Sequence, residues 1–144
     1  MDNQAEEAQM LIGTMLKEFL SIRNSGSELY YHGFLTGVLG MACASRGIDF
    51  KEEIETGSGF SDIIIDNFDT KTACILELKK TETLEDCYAA AEKATKQIMQ
   101  KEYASKYVSR RYKKVFGIGI GFAKKRCEVV SLGNLIDAKP TVNN

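Results

Sequence analysis

Two apolar blocks dominate the middle of the chain. Ile63-Ile64-Ile65 and Ala73-Cys74-Ile75-Leu76 are short and mostly β-branched, and the polar stretch Asn67 to Lys71 between them reads as a turn. Together they predict a β-hairpin. Upstream, Met10, Leu11, Met15, Leu16, Phe19 and Ile22 recur at helical spacing and predict a helix over 4–22, which Asn24-Ser25-Gly26-Ser27 ends. A second helix is expected over 27–45, with a stripe of Tyr31, Leu35, Val38 and Ala42 widened by Phe34, Leu39 and Met41; Gly47 suits its left-handed C-terminus. Residues 48–56 alternate weakly and read as a first strand running into Gly57-Ser58-Gly59. After the hairpin, a long helix is expected from a Thr83 cap to about Tyr107, with Leu84, Cys87, Ala91, Ala94 and Ile98 as its apolar stripe. Residues 112–122 predict a fourth strand with Phe116, Ile118, Ile120 and Phe122 on one face. Gly117, Gly119 and Gly121 leave the other face bare, which suits the close approach of a helix or another backbone. A fifth strand over 126–132 follows, then a tail from Gly133 expected to fray. The order helix, helix, three strands, helix, two strands predicts an α/β domain with a mixed five-stranded sheet flanked by helices.

The hairpin is where chemistry enters. Residues two apart in a strand share a face, so Glu77 and Lys79 point one way while Cys74, Leu76 and Leu78 point the other. With the turn centred near Asp69, Asp62 falls across the ladder from Leu76–Glu77. Charges in so apolar a strand are costly without partners. Two carboxylates and a lysine on one patch therefore suggest a hard divalent cation. Glu28 lies on the stripe of the second helix, one turn before Tyr31, and can reach the same patch; alternatively, Ser25-x-x-Glu28 is a capping box in which Glu28 bonds back to the helix start. Asp66 shares a face with Asp62 but sits at the turn, where local backbone bonds are expected. His32, the one histidine, has no constellation around it and reads as a hydrogen-bonded helical residue. Neither glycine-rich stretch is a nucleotide fingerprint, because no Gly-Lys-Ser/Thr or glycine-anchored helix follows.

Charge sharpens this picture. Residues 1–92 carry 7 Lys/Arg against 17 Asp/Glu, whereas residues 93–126 carry 11 Lys/Arg against Glu102 alone. Such a basic segment is an electrostatic footprint for a polyanion, with a solvated helix face as the bland alternative. Cys43, Cys74, Cys87 and Cys127 include no Cys-x-x-Cys pair and read as free thiols in a reducing cytoplasm rather than as a zinc site. No run approaches the ~20 apolar residues of a membrane span, and the acidic N-terminus is unlike a signal peptide.

Asp62 followed fifteen residues later by Glu77-Leu78-Lys79 resembles the D…(D/E)xK core of the PD-(D/E)xK nuclease superfamily. Gln97-Ile98 and the strand from Tyr112 resemble one branch of it, the nuclease-like domain at the C-terminus of some bacterial proteins with an AAA-ATPase-like N-terminal part. Ser61 stands where the superfamily name expects proline, which is not a metal ligand. The resemblance implies a restriction-endonuclease-like fold over 25–133, with 1–24 as a helix from a linker to a preceding domain and 134–144 as a tail. It implies Mg2+ or Mn2+ held by Asp62, Glu77 and the carbonyl of Leu78, with Glu28 contributing to a second metal. It makes Asp62, Glu77, Lys79 and Gln97 the catalytic set. Lys80, Lys93, Lys96, Lys101, Arg110, Arg111, Lys124 and Lys125 are then expected to bind the phosphate backbone of nucleic acid, DNA before RNA, in the cytoplasm. Other readings are a catalytically idle module of the same fold that binds nucleic acid or regulates a linked ATPase-like domain, and a dimerisation domain using the charge split for head-to-tail contacts.

Overall fold

The structure is a computed structural model that describes residues 3–19, 28–54 and 61–137. The elements in chain order are α1 (Asn3–Phe19), α2 (Glu28–Ala44), β1 (Asp49–Ile54), β2 (Ser61–Asn67), β3 (Thr72–Lys80), α3 (Cys87–Gln100), α4 (Tyr103–Ser109), β4 (Lys114–Ala123) and β5 (Arg126–Asn134). The five strands form one sheet in the order β1-β2-β3-β4-β5. β1–β2, β2–β3 and β4–β5 are antiparallel, and β3–β4 is parallel. A parallel pair cannot be joined by a tight turn, and α3 with α4 makes that crossover. The expected mixed five-stranded α/β architecture is therefore what the chain adopts.

Strand parity sorts the core into two layers. On one face, Ile63, Leu76, Leu78, Ile120, Phe122 and Val129 pack with Ile12 and Leu16 of α1 and Tyr31 and Leu35 of α2. On the other, Ile64, Ala73, Ile75 and Val115 pack with Ile98, Tyr103 and Tyr107. Tyr31 stacks on Phe122 with centroids 4.8 Å apart and donates its hydroxyl to the carbonyl of Lys124 at 2.6 Å, which ties α2 to the β4–β5 turn. The bare face of β4 does what its glycines suggest. A Cβ on Gly119 would stand 2.2 Å from the carbonyl oxygen of Ala91, and one on Gly121 2.0 Å from that of Cys87. Only glycine lets α3 lie this close.

The helices depart from the sequence pattern in four places. Among the described residues of α1, Ile12 and Leu16 are buried, whereas Met10 and Leu11, both on the expected stripe, are exposed. In α2, Met41 is likewise exposed. The third helix begins at Cys87, not at a Thr83 cap. The Thr83 hydroxyl donates to the Asp86 carboxylate at 2.7 Å instead of accepting from a helix N–H, and the Thr81 N–H is held by the Phe122 carbonyl at 2.7 Å, keeping 81–84 outside the helix with Leu84 exposed. That helix also does not run on to Tyr107. Glu102 takes a left-handed conformation (φ 53°), and α4 starts anew at Tyr103.

Both edges of the sheet are protected. The edge strand β1 carries Asp49, Lys51, Glu52 and Glu53 among its six residues, and charges on an edge discourage further pairing. At the other edge α1 covers β5, and the Val129 N–H donates to the Gln9 side-chain oxygen at 3.1 Å. No helix among the described residues is long and apolar enough to cross a membrane.

Candidate functional site

Two neighbouring strands supply the acidic residues. The β2–β3 register pairs Ile63 with Leu76, and one step further brings Asp62 opposite Glu77. Ile63 packs in the α1/α2 layer and Ile64 in the α3/α4 layer, so position 62 has the strand parity of Ile64, as Glu77 has that of Ala73 and Ile75. On the far side of Glu77 the register partner is Gly119, and Lys79 lies beside Gly121. The carboxylate therefore sits on the glycine-cleared strip over which α3 passes. The side chains of Asp62 and Glu28 lie outside the described residues, as do Glu55 and Gly57 to Gly59.

Glu77 is 5% exposed. A buried carboxylate requires compensating charge or hydrogen bonds, and two ammonium groups provide it. Lys79 Nζ stands 3.9 Å from Oε1 and Lys101 Nζ 3.3 Å from Oε2. Lys79 arrives from the same strand face, as the i,i+2 spacing demands. Lys101 arrives from the C-terminal end of α3, where its N–H closes the last turn on the carbonyls of Gln97 and Ile98, both at 3.3 Å. Gln97 is half-buried one turn before Lys101 and so shares its side of the helix.

Lys101 makes a contact that the sequence pattern does not show. Within the basic run it reads as a phosphate contact, but it is half-buried and engaged with Glu77. The signal that would have found it is its position one turn after Gln97, on the boundary of the stripe that covers the sheet. The other basic residues do not form one stripe. Lys93 and Lys96 are exposed on α3, and Lys80 is paired with Glu82. Arg110 and Arg111 precede β4, whereas Lys124 and Lys125 follow it. The ten residues of β4 hold the two groups about 30 Å apart at ~3.3 Å per residue.

Asp66 departs from expectation too. It is buried, and it accepts the hydroxyl proton of Tyr112 instead of bonding to its own turn. Burial, reinforced by the Asp66 carboxylate that accepts the O–H, pushes the Tyr112 phenol up to about 12. This pair lines a cleft of about 470 Å³ with Asp49, Lys51, Phe68, Lys71 and Arg110. The cleft lies at the turn end of β2–β3, away from Glu77. His32, as expected, is a buried helical residue, 3.5 Å from the Thr36 hydroxyl and 3.7 Å from Glu52 Oε1. The four cysteines are free thiols. Burial pushes Cys74 and Cys127 up to about 12, so neither is a poised nucleophile.

Among the described residues no three His, Cys, Asp or Glu side chains are grouped as a metal site. The donor types at the strand pair nevertheless fit a hard cation. Glu77 offers carboxylate oxygens, and its register neighbour in the sequence is a second acidic residue.

No curated protein and no solved structure matches the chain significantly. A family model does, over residues 26–132, more than half of the chain, and that span holds Asp62, Glu77, Lys79 and Lys101 together with the strands that frame them. A parallel β3–β4 pair bridged by a helical crossover, with the acidic residues on the adjoining hairpin, is thus the setting of a known family, and the chain belongs to the PD-(D/E)XK nuclease superfamily.

Proposed function

We propose that this chain is a divalent-metal-dependent nuclease that hydrolyses phosphodiester bonds, with DNA as its substrate. The observation that carries the reading is a buried carboxylate, Glu77, opposite position 62 in the continued strand register and flanked by two lysines. Asp62, Glu77 and the Leu78 carbonyl would hold Mg2+ or Mn2+. A metal bound there supplies Lewis-acid polarisation of the scissile phosphate and of a water. Lys79, held on the Glu77 face by strand parity, contributes a fixed positive charge for the negative charge that builds on phosphorus oxygens during attack. Gln97, on the helix side facing this patch, orients the water or the phosphate. Exposed Lys93 and Lys96 hold the backbone of the substrate without reading its sequence.

The test is cleavage of single- and double-stranded DNA and of RNA with Mg2+ or Mn2+, by the wild type and by Asp62→Ala and Lys79→Ala. Loss of cleavage in both variants, with an unchanged far-UV circular dichroism spectrum, is expected; cleavage that survives both removes this mechanism. One observation favours a second reading, an idle module of the same fold. The two lysines balance Glu77 without any metal. Failure of Mn2+ to raise the melting temperature, with nucleic-acid binding retained, would select it.

A further inference from the structure

Glu77 has two oxygens and each already faces an ammonium, Lys79 on Oε1 and Lys101 on Oε2. The Lys101 contact is the shorter, at 3.3 Å, and it joins a strand to a helix across 24 residues. Lys101 also has little freedom at its base. Its N–H is bound to two carbonyls of α3, and the left-handed Glu102 directly after it ends the helix. The side chain therefore projects from a fixed point over the carboxylate. In formal charge the two lysines equal the two acidic residues of the strand pair, Glu77 and its register neighbour Asp62. A cation approaching this lysine-lined patch meets repulsion from the same groups that keep the Glu77 carboxylate tolerable in the interior.

We infer that Lys101 is a positioning residue whose ammonium holds the Glu77 carboxylate in the metal-free protein, so that metal loading would displace that ammonium from Glu77. This rests on the reading above that the site takes a divalent cation. The exchange has two consequences. Metal-free protein keeps Glu77 in place with no unpaired buried charge. Once displaced, Lys101 is left beside the metal-loaded patch, which now carries a formal charge of +2 and attracts a phosphodiester. Affinity for the metal is thereby lowered in the absence of substrate, because the incoming ion must first displace an ammonium.

The experiment measures two things on the purified full chain, neither of them cleavage. The first is the melting temperature in EDTA of the wild type, Lys101→Met, Glu77→Gln and the double variant. Lys101→Met is expected to lower it, and the loss is expected to shrink when Glu77→Gln is also present, because the charge that needs Lys101 is then gone. The second is Mn2+ binding by isothermal titration calorimetry. Lys101→Met is expected to bind Mn2+ about tenfold more tightly than wild type, equivalent to ~1.4 kcal/mol, and Lys101→Arg, which keeps the charge, to bind as wild type does. A purely structural lysine would lower the melting temperature without tightening Mn2+ binding. A simple phosphate contact would change neither. Either result overturns the inference. If Lys101→Met proves too unstable to titrate, Lys101→Gln takes its place with the same expected direction. Binding by wild type that no Lys101 variant alters sinks the exchange alone. No binding by wild type or variant, with the Lys101–Glu77 coupling intact in EDTA, sinks the metal reading of the site and the exchange with it.

Discussion

Replacing Gly119 with alanine puts one methyl group between the sheet and the helix that carries Lys101. Gly119 is the register partner of Glu77. The added Cβ would meet the Ala91 carbonyl oxygen at 2.2 Å, Thr95 Cγ2 at 2.8 Å and Thr95 N at 3.0 Å. Ordinary contact begins near 3.4 Å, so the helix backbone must retreat by more than an ångström at Ala91. Two of the three atoms are backbone, so no change of rotamer relieves the clash. Overpacking a core costs ~1–3 kcal/mol, and a clash with helix backbone belongs at the upper end. For a chain of this length that corresponds to a fall in melting temperature of roughly 10 °C. Thermal unfolding followed by far-UV circular dichroism measures it. Gly37→Ala is the control, since it lies exposed in α2 with no atom within 4 Å of an added Cβ; alanine there should stabilise by about 0.5–1 kcal/mol through helix propensity. If Gly119→Ala melts with the wild type, α3 does not pack on the bare face of β4, and the placement of Lys101 over Glu77 loses its support.

Four further outcomes are expected. Tyr112→Phe leaves the buried Asp66 carboxylate without its hydroxyl donor and should cost ~1–3 kcal/mol in urea unfolding. The same variant should also alter the alkaline limb of stability. The Tyr112 phenol is raised from its ordinary 10.0 to about 12, so the stability it lends is complete below pH 10.0 and is lost as pH rises through about 12; unfolding midpoints measured across that window should fall less steeply in Tyr112→Phe. The half-buried Cys74 and buried Cys127 thiols should react far more slowly with an aromatic disulfide near neutral pH than the same thiols in denaturant, because their values of about 12 leave almost no thiolate; fast native-state labelling of either would contradict this. Removing Lys93 and Lys96 together should weaken DNA binding equally for unrelated sequences and reduce the slope of log affinity against log salt by ~0.9 for each phosphate no longer neutralised.

Much of this was legible in the sequence, and the reasons lie in particular residues. The β2–β3 hairpin announces itself because its two apolar runs are strand-length and separated by a polar turn, and parity alone sets Glu77 and Lys79 apart from Leu76 and Leu78. The glycines of β4 were equally plain, since alternation with Phe116, Ile118, Ile120 and Phe122 leaves them on one face. The break between α3 and α4 was not readable, because Lys101-Glu102-Tyr103 holds no glycine or proline and a left-handed glutamate leaves no mark in the residue pattern. The start of α3 was misread for a related reason. Thr83 has the chemistry of a cap, but it donates to the Asp86 side chain, a choice that propensity does not encode. Lys101 was hidden by its company: among eleven basic residues of one segment, only the path of the helix tells which one turns inward.

The closed borders of the sheet limit how the molecule can meet others. A strand studded with ionic side chains at one margin, and a helix whose glutamine holds an amide of the outermost strand at the other, discourage a sixth ribbon from settling on either. Copies of this chain are thus hindered from stacking into a continuous fibre through their main chains. Among the described residues, this leaves helix surfaces and turns as the less guarded ground for contact with another polypeptide.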